Sequence, residues 1–117
     1  MTLKERRVGD VSILDLKGRL VLEEGDDILR SRINDLVSEG RIKIVVNLQD
    51  VTYVDSCGVG VLIAKYVSVR KKGGDVKLLH LTPRSHRLME ISKLLSVFET
   101  FDSEERAVES FAGQRTK

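Results

Sequence analysis

Apolar residues recur along this chain with two different periods, one typical of strands and the other of helices. Residues 11–16 alternate, with Val11 and Ile13 on one side of a predicted strand and Leu14 and Leu16 on the other. Other segments space their apolar residues three and four apart, as a helix with one buried face requires. In chain order, the predicted elements are a weak strand over 3–8, the strand over 11–16, a helix containing Ile28, Leu29, Ile33, Leu36 and Val37, a strand over 42–48 that Tyr53 and Val54 extend, a helix containing Val59, Leu62, Ile63, Tyr66, Val67 and Arg70, a strand over 76–81, a helix containing Leu88, Ile91 and Leu95, a strand over 97–101, and a helix containing Ala107, Val108 and Phe111.

Turn and capping residues separate these elements. Gly9-Asp10 predicts a hairpin turn between the first two strands, and Gly40 and Gly73-Gly74 follow the first two helices. Thr82 and Pro83 predict the N-cap and the first position of the third helix. The resulting order, β-β-α-β-α-β-α-β-α, predicts an α/β fold. Its sheet is mixed and mostly parallel, carries an N-terminal hairpin and is flanked by four helices.

Length and composition indicate one domain with an aliphatic core. The chain has 117 residues, of which 41% are hydrophobic and 4% aromatic, so residues 1–117 are expected to form a single domain. The residues expected in its core are Val11, Ile13, Ile33, Val37, Ile44, Val46, Leu62, Ile63, Val67, Leu78, Leu88 and Ile91.

Charge and cysteine content argue against several classes of function. The 20 basic and 18 acidic residues are interspersed and give a net charge of +2, and without a basic stripe or stacking aromatics we expect no binding of nucleic acid. Residues 1–7 are polar and no stretch reaches the roughly 18 apolar residues of a spanning helix, so we expect a cytoplasmic protein without membrane contact. The single cysteine, Cys57, excludes an internal disulfide. His80 and His86 come without a clustered carboxylate, so no metal is expected. Gly58-Val59-Gly60 lacks the third glycine of a dinucleotide fingerprint, and no cofactor is expected.

The segment between the predicted strand ending near Val54 and the next helix carries the candidate chemistry. It contains Asp55 and Ser56, followed by Gly58 and Gly60. The first turn of a helix has free N–H groups and the positive end of the helix dipole, so a phosphate on Ser56 would be stabilised there. The glycines leave the turn bare, which would let the active site of another protein reach the hydroxyl. From the residues alone a simpler interpretation stays open, in which Asp55 or Ser56 only caps the helix and the glycines ease packing.

The sequence around Ser56 resembles that of the anti-sigma factor antagonists, a group within the STAS family. The stretch Asp55-Ser56-Cys57-Gly58-Val59-Gly60-Val61-Leu62 is similar to their Asp-Ser-(small)-Gly-Leu-Gly signature. Weaker similarities lie in residues 44–54, in Lys71-Lys72-Gly73-Gly74 with Val76-Lys77-Leu78, and in Gly18-Arg19-Leu20. The resemblance spans nearly the whole chain and implies the STAS fold.

This resemblance implies a switch protein and not an enzyme. In such proteins the serine directly after the aspartate, here Ser56, is phosphorylated by a partner serine kinase that is also the anti-sigma factor. The unphosphorylated form binds this kinase and frees the sigma factor, and a PP2C-type phosphatase resets the switch. The resemblance also implies that Asp55, Cys57 and Gly58 support the phosphosite. The residues that it implies for partner binding are Leu22, Glu23, Glu24, Gly25, Val59 and Gly60.

One position departs from the pattern of this family. Val21 stands where the family often has an aspartate, in a patch that is thought to face the kinase. Either Glu23 and Glu24 replace that acidity or the partner differs.

Three alternatives stay open at the level of sequence. The first is a STAS scaffold subunit of a stress-signalling assembly. The second is a response-regulator receiver domain with Asp55 as acceptor, although only Asp15 stands where such a domain needs an acidic pair for Mg²⁺. The third is nucleophilic chemistry at Cys57, which would lie at a helix N-terminus, but no arginine follows at the spacing of a cysteine phosphatase loop.

Overall fold

The elements of the fold follow the predicted order. A computed structural model describes residues 1–22, 24–91, 93 and 96–112. The five strands form one sheet in the order β1-β2-β3-β4-β5, in which β1 is antiparallel to β2 and the other neighbours are parallel. The predicted α/β fold with an N-terminal hairpin is therefore confirmed. The elements are β1 (Thr2–Val8), β2 (Val11–Leu20), α1 (Asp26–Ser38), β3 (Lys43–Val54), α2 (Ser56–Lys71), β4 (Asp75–Leu79), α3 (Pro83–Ile91), β5 (Thr100–Phe101) and α4 (Glu104–Glu109).

The order of the strands places three helices on one face of the sheet. Each parallel strand pairs with the next along the chain, and right-handed crossovers between such neighbours all lie on the same side. The helices α1, α2 and α3 contribute Leu29, Leu62 and Met89 to the main core, where they pack with Leu14 and Val46 of the sheet. On the opposite face a smaller cluster lies under α4, and its members are Val11, Ile13, Val45, Leu79, Ala107 and Phe111. The two sides predicted for residues 11–16 are thus confirmed.

Two residues predicted for the core are exposed. The prediction was wrong for Val67 and for Ile91, whose exposed fractions are 44% and 70%. The helix α2 carries apolar residues on every side, so their spacing does not identify its inner face. The buried residues of α2 are Gly58, Val59, Val61, Leu62 and Val69, and Ile63 and Tyr66 also pack against the core. Ile91 is the last residue of α3 and lies where the helix leaves the core.

The last strand is shorter than predicted. Residues 97–101 were expected to form it, but β5 contains only Thr100 and Phe101. Phe98 turns instead into the main core, where its ring centroid lies 4.8 Å from that of Tyr66, while Val97 is 39% exposed. Leu95, predicted on the inner face of the third helix, lies outside the described residues.

Candidate functional site

Asp55 connects the end of β3 to the start of α2 and to the loop after β2. One of its carboxylate oxygens accepts a hydrogen bond from the Gly58 N–H at 2.9 Å, and the other accepts one from the Leu22 N–H at 3.3 Å. The N–H of Asp55 donates to the Leu20 carbonyl at 3.3 Å. Asp55, and not Ser56, is therefore the N-cap of α2, and it fixes the loop at the end of β2 against the helix.

The same hydrogen bonds keep the carboxylate ionised. The hydrogen bond from Gly58 lowers the pKa of Asp55 most, burial raises it by less, and the hydrogen bond from Leu22 lowers it further. The net result is a pKa below the ordinary value of an aspartate, because N–H donors favour the charged form. The cap is therefore intact at neutral pH.

Ser56 is the first residue of α2 and is exposed. Its hydroxyl makes no hydrogen bond within the part of the chain that the structure describes. The interpretation in which Ser56 caps the helix is thus wrong, since Asp55 does so. The hydroxyl is available to another molecule, and a phosphate on it would lie at the positive end of a 16-residue helix.

Gly58 lets the first turn of α2 pack closely on the end of β2. A Cβ atom at Gly58 would lie 2.3 Å from the Leu20 carbonyl oxygen and 2.9 Å from Leu20 Cγ. No side chain fits there without moving the helix start, so this glycine positions Asp55 and Ser56 relative to β2. Cys57, between Ser56 and Gly58, is free and half-buried.

Four residues in this turn and in the loop after β2 are at least partly accessible to solvent. Leu22 is 58% exposed, Glu24 is half-buried, and Gly60 is exposed beside Ser56. A Cβ atom at Gly60 would meet nothing within 4 Å. We call Leu22, Glu24, Ser56 and Gly60 the Ser56 surface.

Two other residues expected to contact a partner are buried. Val59 is only 9% exposed, because it lies on the inner face of α2. Gly25 is buried as well, and a Cβ atom there would lie 2.6 Å from the Arg19 carbonyl oxygen. The expected partner contact is therefore corrected for both residues, which pack inside the domain instead. Glu23 lies outside the described residues.

The described residues, 1–22, 24–91, 93 and 96–112, contain neither a metal-binding group of side chains nor a membrane-spanning helix. No group of three or more His, Cys, Asp or Glu side chains in those ranges could hold a metal ion. None of the helices in them is long and apolar enough to cross a membrane. The exposed Ser56 at the start of α2 makes the turn around it the candidate functional site.

Known proteins share this fold and this sequence pattern. The model of the STAS domain family matches residues 3–107, so the chain belongs to the STAS domain family. It is 28% identical to the anti-sigma F factor antagonist of Paenibacillus polymyxa, over 84% of each chain. It is 33% identical to the anti-sigma-B factor antagonist of Bacillus subtilis, over 70% of this chain and 74% of the relative. The crystal structure of a proposed anti-sigma factor antagonist from Thermotoga maritima superposes with a TM-score of 0.86 at 25% identity, over 92% of each chain.

The topology rules out the receiver-domain alternative. Doubly wound domains of the receiver type have a sheet of parallel strands in the order 2-1-3-4-5. Here the strands follow in chain order and β1 is an antiparallel edge strand. Moreover, the carboxylate of Asp55 already accepts two backbone hydrogen bonds.

Proposed function

We propose that this protein is an anti-sigma factor antagonist that is switched by phosphorylation of Ser56. In its unphosphorylated form it binds an anti-sigma factor that is also a serine kinase, and the sigma factor is released. A PP2C-type phosphatase restores the binding form. The protein itself acts by binding and not as an enzyme, in the cytoplasm of a bacterium. The relatives from Paenibacillus polymyxa and Bacillus subtilis, both named as antagonists of anti-sigma factors, support this class of partner.

The exposed and unbonded hydroxyl of Ser56 is the observation that carries the proposal. Because Asp55 caps α2 itself, the Ser56 hydroxyl is free of hydrogen bonds among the described residues, so a kinase can reach the acceptor oxygen without breaking one. Gly60 adds no side chain to the outer side of the same helix. Both features favour close approach of a second active site.

The charges around Ser56 explain how a phosphate would weaken binding. Phosphorylation adds about −1.5 to −2 charges. Asp55 is ionised next to Ser56, and Glu24, which pairs with the N-terminal ammonium of Met1 at 3.4 Å, is the acidic member of the Ser56 surface. In a closed interface the phosphate would be desolvated beside these carboxylates, which opposes association. Leu22, the exposed apolar member, would contribute affinity in the unphosphorylated form.

Transfer of labelled phosphate tests the acceptor. The protein is incubated with radiolabelled ATP and the anti-sigma factor kinase encoded in the same genome. Wild type and Ser31→Ala, which changes an exposed serine of α1, should be labelled equally, and Ser56→Ala should take up no label. Equal labelling of Ser56→Ala would reject the proposal. If Cys57→Ser with Ser56→Ala regains the label, the geometry of the turn selects the acceptor.

Binding of the same kinase tests the switch. Ser56→Ala should bind it like the wild type, whereas Ser56→Asp should bind it more weakly by about 1 to 3 kcal/mol, the cost of a charge in the interface. Isothermal titration calorimetry measures both. If Ser56→Asp binds as tightly as Ser56→Ala and no label is transferred, the protein is better described as a STAS scaffold.

A further inference from the structure

The strand β3 has a free edge in its second half. It pairs with β2 as far as Leu20 and Val54. Its pairing with β4, however, ends at Asn47 and Leu79. After Asn47 the side of β3 that faces away from β2 therefore has no strand partner among the described residues. Such an edge is a template for another extended segment.

A groove runs along this edge. It is lined by residues 49–52 of β3, by Lys17 and Gly18 of β2, and by Thr82, Pro83 and Arg84 at the start of α3. The cavity measures about 720 Å³. This volume is sufficient for a short segment in an extended conformation, since drug-sized ligands occupy pockets of about 300 to 1,000 Å³.

The charged groups of the groove are mainly positive. Lys17 and Arg84 are exposed, as is Arg19 next to them, and none of these three forms a salt bridge with a described residue. Asp50 is the acidic residue of the lining. The net local charge therefore favours a negatively charged ligand.

Tyr53 directly follows Thr52 of the groove lining, and its ring contacts two of these cations. This residue is 42% exposed. The guanidinium carbons of Arg19 and Arg84 lie 5.8 Å and 5.9 Å from the centroid of its ring. Both distances are those of cation–π contacts, which hold the guanidinium groups in place while their N–H donors stay available. Tyrosine and arginine, together with tryptophan, are enriched among the hot-spot residues of protein interfaces.

We propose that this groove binds an extended, acidic segment of a protein partner, which pairs with the free edge of β3 while its carboxylates contact Lys17, Arg19 and Arg84. Main-chain hydrogen bonds would supply affinity and the three cations selectivity. This site does not require phosphorylation of Ser56. Failure of a peptide to bind the groove would therefore leave the proposed Ser56 switch intact, and failure of the switch would leave the groove proposal intact.

Peptide titrations monitored by NMR test this site. The ¹⁵N-labelled full chain is titrated with three synthetic peptides of about eight residues, a little longer than an average strand. One alternates Glu with Thr, one Lys with Thr, and one Glu with Pro. The Glu-Thr peptide should shift the amide signals of residues 48–53, Thr82 and Arg84 until saturation. The Lys-Thr peptide should not, and the Glu-Pro peptide should bind about tenfold more weakly or not at all, because proline lacks the N–H that a ladder needs.

Charge-reversal variants assign the binding to the groove. Lys17→Glu and Arg84→Glu should each weaken binding of the Glu-Thr peptide about tenfold. Arg87→Glu changes an exposed residue of the same helix outside the groove lining, and should change affinity by less than about twofold. Absence of saturable shifts, equal binding of the Glu-Pro peptide, or equal weakening by Arg87→Glu would each overturn the proposal.

Discussion

The carboxylate of Asp55 accepts a hydrogen bond from the N–H of Leu22, a residue 33 positions earlier in the chain, at 3.3 Å. Its other oxygen accepts from Gly58 at 2.9 Å. One side chain therefore holds both the exposed apolar residue of the Ser56 surface and the first turn of the helix that presents Ser56. The two halves of the candidate site are fixed to each other by this cap.

The Asp55 cap can be removed by Asp55→Ala. We expect the free energy of unfolding to fall by about 1 kcal/mol, the usual effect of losing an N-cap. We also expect faster hydrogen exchange at the amides of Leu22 and Gly58, which lose their acceptor. Urea denaturation and NMR measure the two effects.

A second N-cap provides the matched control for Asp55→Ala. The Ser103 hydroxyl caps α4 by accepting from the Arg106 N–H at 3.4 Å. Ser103→Ala should cost a similar amount of stability without changing exchange at Leu22. If Leu22 stays equally protected in Asp55→Ala, the link between loop and helix does not depend on this carboxylate.

Arg6 stabilises two carboxylates on the face of the sheet that α4 covers. Its Nη2 atom lies 2.7 Å from Glu104 Oε1 and 3.1 Å from Asp15 Oδ1. The hydrogen bond with Arg6 is the largest cause of the lowered pKa of Glu104. For Asp15, burial raises the pKa, but hydrogen bonds with Arg6 and Asn47 bring it below its ordinary value.

These lowered pKa values predict how stability depends on pH. A carboxyl group with a lowered pKa in the folded state stabilises the fold above its unfolded pKa of about 4, and this contribution is lost as the pH falls through the folded pKa. Arg6→Leu should therefore lower the free energy of unfolding by about 1 kcal/mol at neutral pH, a modest value because the groups are partly exposed, and by less in acid. It should also raise the pH midpoint of acid unfolding.

Arg7→Leu is the control for Arg6→Leu. Arg7 is on the same strand and pairs with Glu5 at 2.9 Å, but half of its side chain is exposed, so its removal should change stability by less than about 0.5 kcal/mol. Circular dichroism across the pH range records both variants. If Arg6→Leu lowers the free energy of unfolding equally at neutral and acid pH, the packing of Arg6, and not its charge, stabilises the fold.

Lys77 is a charged residue in the interior of the sheet. Its side chain is 1% exposed, and its Nζ atom lies 2.8 Å from a carboxylate oxygen of Glu99 and 2.7 Å from the Ser110 hydroxyl. The same atom is 4.5 Å from the centroid of the Phe111 ring. Lys77 thereby connects β4 to the residues before β5 and to those after α4.

Truncation of Lys77 should be strongly destabilising. Lys77→Ala removes a long buried stem and should lower the free energy of unfolding by about 2 to 5 kcal/mol, as measured by urea denaturation. Lys77→Met retains the stem without the charge and should recover most of that loss, since apolar replacements of buried ionic groups are often tolerated. A Met variant as unstable as the Ala variant would assign the stabilisation to the ammonium contacts.

The sequence was sufficient where local chemistry determines the structure. Alternation placed Val11 and Leu14 on opposite faces of the sheet. Gly9, with a φ of +62°, closes the hairpin as predicted, and Thr82 caps α3 by accepting from the Ser85 N–H at 3.1 Å. Each of these features depends on residues close together in the chain.

Features that depend on distant residues were not predictable. Lysine is rarely buried. Lys77 is buried because Ser110 and Phe111, more than 30 residues later in the chain, pack against its ammonium group. The outward position of Val67 could not be found from α2 alone, which is apolar all round.

The candidate site shows the same division between local and distant information. Asp55 and Ser56 were located correctly at the start of a helix. Which of them caps it was open, since both residue types are good N-caps. The bond from Leu22 and the contacts of Arg19 and Arg84 with Tyr53 join segments far apart in sequence, and no local pattern indicates them.

Two glycines of α2 should respond in opposite ways to the same substitution. Gly58→Ala places a Cβ atom 2.3 Å from the backbone oxygen of Leu20, so the helix start must shift and stability should fall by about 1 to 3 kcal/mol, the range for overpacking. Gly60→Ala adds a methyl group in open space and should raise stability by about 0.5 to 1 kcal/mol, because alanine favours the helix. Urea denaturation of both variants compares their free energies of unfolding. The affinity of each variant for the kinase then shows whether the change also affects binding. Gly60→Ala should bind the kinase more weakly despite its greater stability, since its methyl group lies on the Ser56 surface; unchanged binding would place the partner elsewhere.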